Sequence, residues 1–453
     1  MTSAPRAIGI HRRELLQVGY SGLLGLGLSS LANSAWAAPA KKPKSVLLVF
    51  LTGAASQLET FDPKPDAPAE IRGDFGSIPT KIAGLRFGEY LPKLAARAHD
   101  MAIVRTLSHK NNNHTAATHH VITGHSQPGV KFDKVASRDD WPSYAAGLNY
   151  LRPRPDGLPA GMALPYFLTD GRLHWPGQYA GFLGPKHDPW QLNANPNAKG
   201  FQVENMRPIA GLDADQLTNR QALLDSINRQ QLRLAESAEA MKLADQQKRA
   251  FTLLTSSPVA KAFELDREPA AMRNKYGRHM FGQSLLLARR LLQAGVTVVQ
   301  ANMGKVQNWD SHSDIFDRLK NHLLPPLDNA VAALYDDLAE SGLLNDVMVV
   351  VVGEFGRTPK LGFQDKNAKI GRDHWASCFS GLFFGGGVRG GQMIGRSDAI
   401  AAYPSTAPYS PDDLGATIYH ALGIPPDAEV RDRLNRPVPL CQGTAIAPLF
   451  SGG

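Results

Sequence analysis

The sequence predicts an α/β fold, a three-layer α/β/α sandwich around a largely parallel central sheet. Two observations predict it. Four short apolar runs, "SVLLVF", "MAIVRTL", "VTVVQAN" and "VMVVVVGEF", read as strands buried on both faces, and helical patterns lead into the later ones. Each run is also followed by polar residues capable of chemistry, as at the C-terminal edge of an open α/β sheet, where ligands bind.

The first run, from Val46 to Leu51, opens onto a loop carrying Thr52, Ser56, Glu59 and Asp62. The second, at 101 to 107, is followed by His109, His114, His119, His120 and His125. His119 and His120 are adjacent and must point in different directions. His114 and Thr118 share a helix face, which makes His114, at the helix start, the histidine aimed at a site. The Pro-rich stretch "LRPRPDGLPAGMALP" at 151 to 165 reads as a connection. A long polar segment with apolar residues every three or four positions reads as a helical insertion near 212 to 255. "FGQSLLLARRLLQAG" is a helix stopped by Gly295 before the third strand. "LLPPLDNAVAALYDDLAESGLL" leads in the same way into the Val-rich fourth strand.

At 453 residues, with 43% hydrophobic and 20% charged content, the chain has the composition of a globular protein. Its formal charge of +8 is spread out, with no basic cluster interleaved with aromatics, so no nucleic-acid partner is expected. The N-terminus is different in character. Arg12 and Arg13 precede a Gly/Leu/Ser-rich apolar segment, and Ala35-Trp36-Ala37 is a small-x-small cleavage site. Residues 1–37 therefore read as a twin-arginine signal peptide, which leaves a domain over 38–453. The apolar segment is short for a bilayer span, so no stable span is expected after cleavage. The expected destination is periplasmic or secreted, with the twin-arginine translocase as partner during export. Cys378 and Cys441 could pair in an oxidising compartment or stay separate buried thiols.

Two further strand ends are dense in charge. Asp310 and His312 in "NWDSHSDIF" are separated by one residue, a spacing that lets both side chains point the same way and bind one ion. Glu354 and Arg357 in "GEFGRTP" are joined by Asp373 and His374 in "GRDHW". A bland account pairs Glu354 with Arg357 or Arg372 and leaves His374 as a hydrogen-bonded core residue. Charges at buried strand ends are costly unless paired or metal-bound, and they gather at functional sites, which favours metal binding or catalysis. The planar guanidinium groups of Arg357 and Arg372 suit phosphate or sulfate oxygens, or a structural fork to carboxylate.

The motifs "FDPKPDAPAEIRGDF", "LPKLAARAHDMAIVRTLSHKNNNH", "NKYGRHMFGQSLLLARRLLQAGV", "WDSHSDIF", "GEFGRTP", "GRDHW" and "GGGVRGGQMIGRSD" together resemble the exported bacterial family called domain of unknown function 1501. The resemblance runs from about the first strand to the C-terminus. It places the chain near the alkaline phosphatase and sulfatase superfamily, and so implies an alkaline-phosphatase-like sandwich with metals at the strand ends. The implied activity is metal-dependent hydrolysis of phosphate or sulfate esters, on a small-molecule or polysaccharide substrate. The alternative is a non-catalytic exported protein that uses the cleft to bind polysaccharide or a protein partner. By this resemblance Asp310, His312 and His374 match metal positions, with Glu354 as an acidic ligand, for a divalent ion such as zinc, calcium or manganese. Arg357 or Arg372 would stabilise charge on the transferring group. Counting back nine residues from Thr123 puts His114 at the superfamily's nucleophile position, as a nucleophile, a metal ligand or a relic. The chain departs from the pattern in having Thr52-Gly53 where an Asp is usual, and Glu354-Phe355-Gly356 where Asp-His-Gly is usual.

Overall fold

The computed structural model describes residues 45–127, 135–154, 160–171, 173–203 and 257–450. The expected leader and the expected helical insertion near 212–255 lie outside these residues. The elements that build the sheet and its two flanks are β1 (Ser45–Phe50), β2 (Met101–Leu107), α1 (His114–Thr123), α2 (Tyr144–Leu151), β3 (Gly161–Leu164) and β4 (Trp190–Gln191). They continue with α3 (Met280–Gln293), β5 (Val298–Asn302), α4 (Leu324–Glu340), β6 (Val347–Val352), β7 (Phe379–Phe384), β8 (Gln392–Ile394) and α5 (Pro411–Ala421).

The eight-stranded sheet has the order β8-β2-β7-β6-β1-β5-β3-β4. β1 lies at its centre, parallel to β6 on one side and to β5 on the other. β3 pairs parallel with β5, β4 with β3, and β8 with β2. Only β7 runs against its neighbours β6 and β2. All four strands expected from the apolar runs are present. The stretch 151–165, read from its prolines as a connection, contains β3. Its prolines lie on either side of "GMAL", which is fully buried and pairs in register with β5.

The alternation of side chains along β1 shows why the fold has three layers. Leu47, Val49 and Leu51 face a core closed by Leu285, Leu286 and Leu291 of α3 and by Leu327, Val331 and Leu334 of α4. Val46, Leu48 and Phe50 face the opposite core, closed by Val121 of α1, Tyr144 of α2 and Ile418 of α5. A strand buried on both faces gains no stability from polar alternation, so its sequence is continuously apolar. The termini of the helices are set by local chemistry. Asn113 caps α1 by accepting from Ala116 N, and Ser410 and Asp413 form a capping box at α5. Cys378 and Cys441 are separate free thiols, and burial pushes the Cys378 thiol up to about 12. No helix among the described residues is long and apolar enough to cross a membrane.

The parallel strands β1, β2, β5 and β6 all release their loops at one edge of the sheet. Because β7 is antiparallel, the loop that precedes it reaches the same edge. Five loops distant in sequence therefore converge there.

Candidate metal centre

His114 is the first residue of α1, so the helix holds its ring over the edge of the sheet. Asp310 and His312 come from the loop after β5, and Glu354 stands just beyond β6. His374 comes from the loop before β7, where it forms a two-residue antiparallel ladder with Arg357. The loops after β1 and β5 approach so closely that a Cβ on Gly53 would lie 2.7 Å from the backbone of Asp310 and Gln307. Gly53 also has φ +98°, so no other residue fits there without strain.

Three histidines and one carboxylate meet at this edge. Asp310 Oδ1 lies 3.1 Å from His312 Nε2 and 3.2 Å from His374 Nε2. His312 Nε2 and His374 Nε2 are themselves 2.9 Å apart. His114 Nε2 lies 3.2 Å from Asp310 Oδ2, off the line a hydrogen bond needs, and is buried without a hydrogen-bond partner. One ligand atom each from His114, Asp310 and His374 fall within 4.8 Å of one another.

The far side of every ring is held by an acceptor. His114 Nδ1 is 2.6 Å from Glu354 Oε1, His312 Nδ1 is 2.6 Å from Asp373 Oδ1, and His374 Nδ1 is 2.7 Å from the Asn112 carbonyl oxygen. Two carboxylates and a carbonyl can only accept, so each Nδ1 carries a proton and donates. Each Nε2 is then free to offer its lone pair to the common centre. Outer acceptors that fix imidazole tautomers in this way are the usual support of metal-ligating histidines. His114 Nε2, Asp310 and His374 Nε2 lie close enough together to hold one metal ion, with the orphaned Nε2 of His114 aimed among them, and His312 Nε2 stands beside this set, 2.9 Å from His374 Nε2.

The charges agree with this arrangement. Burial pushes the Asp310 carboxyl up, but His114, His312, His374 and the Arg357 guanidinium together hold it far below the usual carboxylate range. For His114 burial lowers the pKa, and Asp310 and Glu354 more than reverse it. His312 is raised, chiefly by Asp310, whereas burial lowers His374.

Of the residues expected at the site, His114, Asp310, His312 and His374 share the centre. Glu354 does not reach it. Its two oxygens accept from Gly53 N at 2.9 and 3.1 Å, and one of them also holds His114. The backbone N–H of the residue that stands where an Asp was expected thus fixes Glu354 behind the histidine, as an orienting group. The two arginines expected to face a substrate point inward. Arg357 is fully buried against Asp310 and loop carbonyls. Arg372 is held by Glu59 and by the carbonyls of Ile71, Thr358 and Pro359. Burial without compensating oxygen contacts would be too costly for either guanidinium, and so both serve as forks.

A cavity of about 330 Å³ opens over the centre, lined by His114, Asp310, His312 and His374 together with Asn112, Asn113, Thr115, Gln307, Gln364 and Trp175. Asp170, Leu173 and His174 of a small hairpin form part of its rim. Trp175 stacks near His114, with ring centroids 5.9 Å apart and an angle of 29°. Neither Trp175 nor the hairpin could be placed from sequence, since their link to the site is purely spatial. Asp373 had a signal in its position beside His374.

Residues 43–450 match the family described as protein of unknown function DUF1501. The chain belongs to that family. No curated protein matches the chain in sequence. Among solved structures, the PsFucS1 sulfatase from Pseudoalteromonas sp. is 13% identical, with a TM-score of 0.38 over 92% of this chain and 72% of that one. The alkaline phosphatase from the Antarctic bacterium TAB5 is 12% identical, with a TM-score of 0.37 over 85% of this chain and 99% of that one. A phosphonate monoester hydrolase from Silicibacter pomeroyi is 12% identical, with a TM-score of 0.34 over 89% and 76%. These superpositions are loose, and the chemistry of this DUF1501 site follows from its own atoms.

Proposed function

We propose that this DUF1501 protein is an exported, metal-dependent hydrolase of phosphate or sulfate esters. The observation that carries the metal part is the convergence of three Nε2 atoms on Asp310 with every Nδ1 held by an acceptor. The ester class rests on the resemblance of the sequence motifs. His114, Asp310, His312 and His374 would hold the ion, with Glu354, Asp373 and the Asn112 carbonyl orienting the rings. Three imidazoles favour an ion such as zinc over manganese or calcium, which suit oxygen-rich shells. A divalent ion supplies Lewis acidity, polarising a phosphoryl or sulfuryl oxygen and making water more acidic.

The chain's own groups do the rest. The N-terminus of α1 presents backbone N–H groups and the positive end of its dipole beside His114, which suits an anionic ester. Asn112, Asn113, Gln307 and Gln364 offer neutral donors and acceptors to the remainder of a small-molecule or polysaccharide substrate. Among the described residues, Asp170 and His174 are the titratable lining groups outside the ligand set, and they are available to exchange a proton with a leaving group.

One observation favours a second reading. Among the described residues the lining contains no lysine or arginine, so of these groups only the ion and the helix end would neutralise an ester's charge. That suits a non-catalytic protein that binds polysaccharide or a protein partner in the cleft. Metal analysis of leaderless protein, combined with a panel of aryl phosphates and sulfates assayed with and without chelator, separates the two. Bound metal and chelator-sensitive turnover are expected. Metal-free protein inactive on the whole panel would overturn the hydrolase reading.

A further inference from the structure

Arg357 has all five N–H donors directed at oxygen. Nε donates to Ala54 O at 3.1 Å, and Nη1 donates to Arg372 O at 3.3 Å and contacts Asp310 Oδ1 at 2.5 Å. Nη2 donates to Gly53 O and to Trp309 O. Four carbonyls and one carboxylate, drawn from the loops after β1 and β5 and the loop before β7, make an oxygen-lined cage. Such a cage is what a hard cation requires. Here its occupant is a side chain that is 0% exposed.

The cage adjoins the metal centre through one residue. Asp310 Oδ1 faces His312 and His374 on one side and Arg357 on the other, as a carboxylate shared between two cations would. Three further carboxylates close to the centre are already engaged, while Asp170 stands out on the rim of the cavity. Glu354 spans Gly53 N and His114, Glu59 holds Arg372, and Asp373 orients His312. A second ion on the Arg357 side of Asp310 would find both its space and these ligands taken.

We infer that the centre takes one metal ion per chain, because the second cation beside Asp310 is the chain's own Arg357 guanidinium. This rests on the reading of His114, Asp310, His312 and His374 as a metal site. The guanidinium is a permanent charge that no chelator removes, and it neutralises Asp310, so the ion's affinity comes chiefly from the three imidazoles.

The count of ions tests it. Wild-type protein and the double variant His312→Ala/His374→Ala, the latter checked for native circular dichroism, are stripped with chelator, reloaded with excess zinc or manganese, desalted and weighed by native mass spectrometry. The expected difference is one ion per chain. A difference of two overturns the single-ion inference and leaves the metal reading standing, whereas a difference of zero overturns the metal reading itself. The cage is tested separately. In Arg357→Ala, millimolar methylguanidinium is expected to raise the melting temperature by several degrees more than it does in wild type, by refilling the cage. Equal responses of the two proteins would overturn the role given to Arg357.

Discussion

His312 Nε2 and His374 Nε2 face each other at 2.9 Å, while both rings donate from Nδ1 to acceptors on their far sides. Two lone pairs at that separation repel unless a proton or a metal ion is shared between them. A carboxylate oxygen 3.1 and 3.2 Å away makes either cation welcome. In metal-free protein a proton would fill this need, and in a metal-loaded protein the ion would.

Loss of either ring therefore has to weaken metal binding more than loss of an outer partner does. Removal of an outer partner costs about 10- to 100-fold in affinity. His312→Ala and His374→Ala are each expected to exceed roughly 100-fold, the upper end of that range, in a competition titration against a chromophoric chelator. Affinity within a few-fold of wild type in either variant would remove that residue from the ligand set.

Protons and metal compete for the same atoms, which fixes the sign of the pH dependence. His114 is raised above the ordinary 6.5, with burial opposed and outweighed by Asp310 and Glu354, and His312 is raised chiefly by Asp310. A raised histidine stabilises the folded metal-free protein below the unfolded pKa, and this stabilisation is lost as pH rises through the folded pKa. Metal binding needs the rings neutral and so strengthens over the same rise. The gap in melting temperature between loaded and chelated protein is expected to widen between about pH 6 and about pH 8. A gap that is constant or narrows over that interval would contradict the assignment of His114 and His312 as ligands.

The Glu59 and Arg372 pair should matter for stability alone. Arg372 Nη2 is 2.7 Å from Glu59 Oε1, and both side chains are buried. Arg372→Met would leave Glu59 as an uncompensated buried charge, a loss of about 3–5 kcal/mol. Denaturant unfolding should show that loss, while the folded variant retains wild-type metal affinity at low temperature. A large fall in affinity with little loss of stability would return Arg372 to the site.

The sheet was legible because continuous apolar runs are what burial on both faces demands, and "VMVVVV" and "SVLLVF" have no other reading of comparable economy. β3 was not, because four residues between prolines carry too little pattern to outweigh them. Asp310, His312 and His374 were legible as charges that a buried sheet edge would not otherwise tolerate. The roles of Glu354, Arg357 and Arg372 were not. Whether a carboxylate or a guanidinium faces a cavity or turns its back on it depends on which backbone N–H or carbonyl lies behind it. Gly53 N and the Arg357 cage come from loops about 300 residues apart in sequence, a relationship that no local spacing encodes.

The export reading is tested outside the folded domain. The paired guanidinium groups of Arg12 and Arg13 are what a twin-arginine receptor reads. Arg12→Lys combined with Arg13→Lys is expected to leave uncleaved precursor in the cytoplasm, seen on fractionation and blotting. Normal processing of the double variant would exclude the twin-arginine route.

Counting back nine residues from Thr123 assigns His114 to the superfamily's nucleophile position, but its geometry argues for a ligand instead. A nucleophilic imidazole needs one nitrogen open to the substrate and the other free to manage a proton. Here Nδ1 is clamped by Glu354 at 2.6 Å, and Nε2 is buried against Asp310 Oδ2 at 3.2 Å, among the other ligand atoms. His114→Ala should therefore lose metal together with turnover. Glu354→Gln keeps an acceptor but removes the charge that holds the ring, and should lower affinity by about 10- to 100-fold while the protein stays folded. Phosphate-ester turnover in wild type should leave no phosphohistidine at His114 on acid-free peptide mapping. Wild-type metal content in His114→Ala with no turnover, joined to a trapped adduct on His114 in wild type, would restore the nucleophile and remove His114 from the centre.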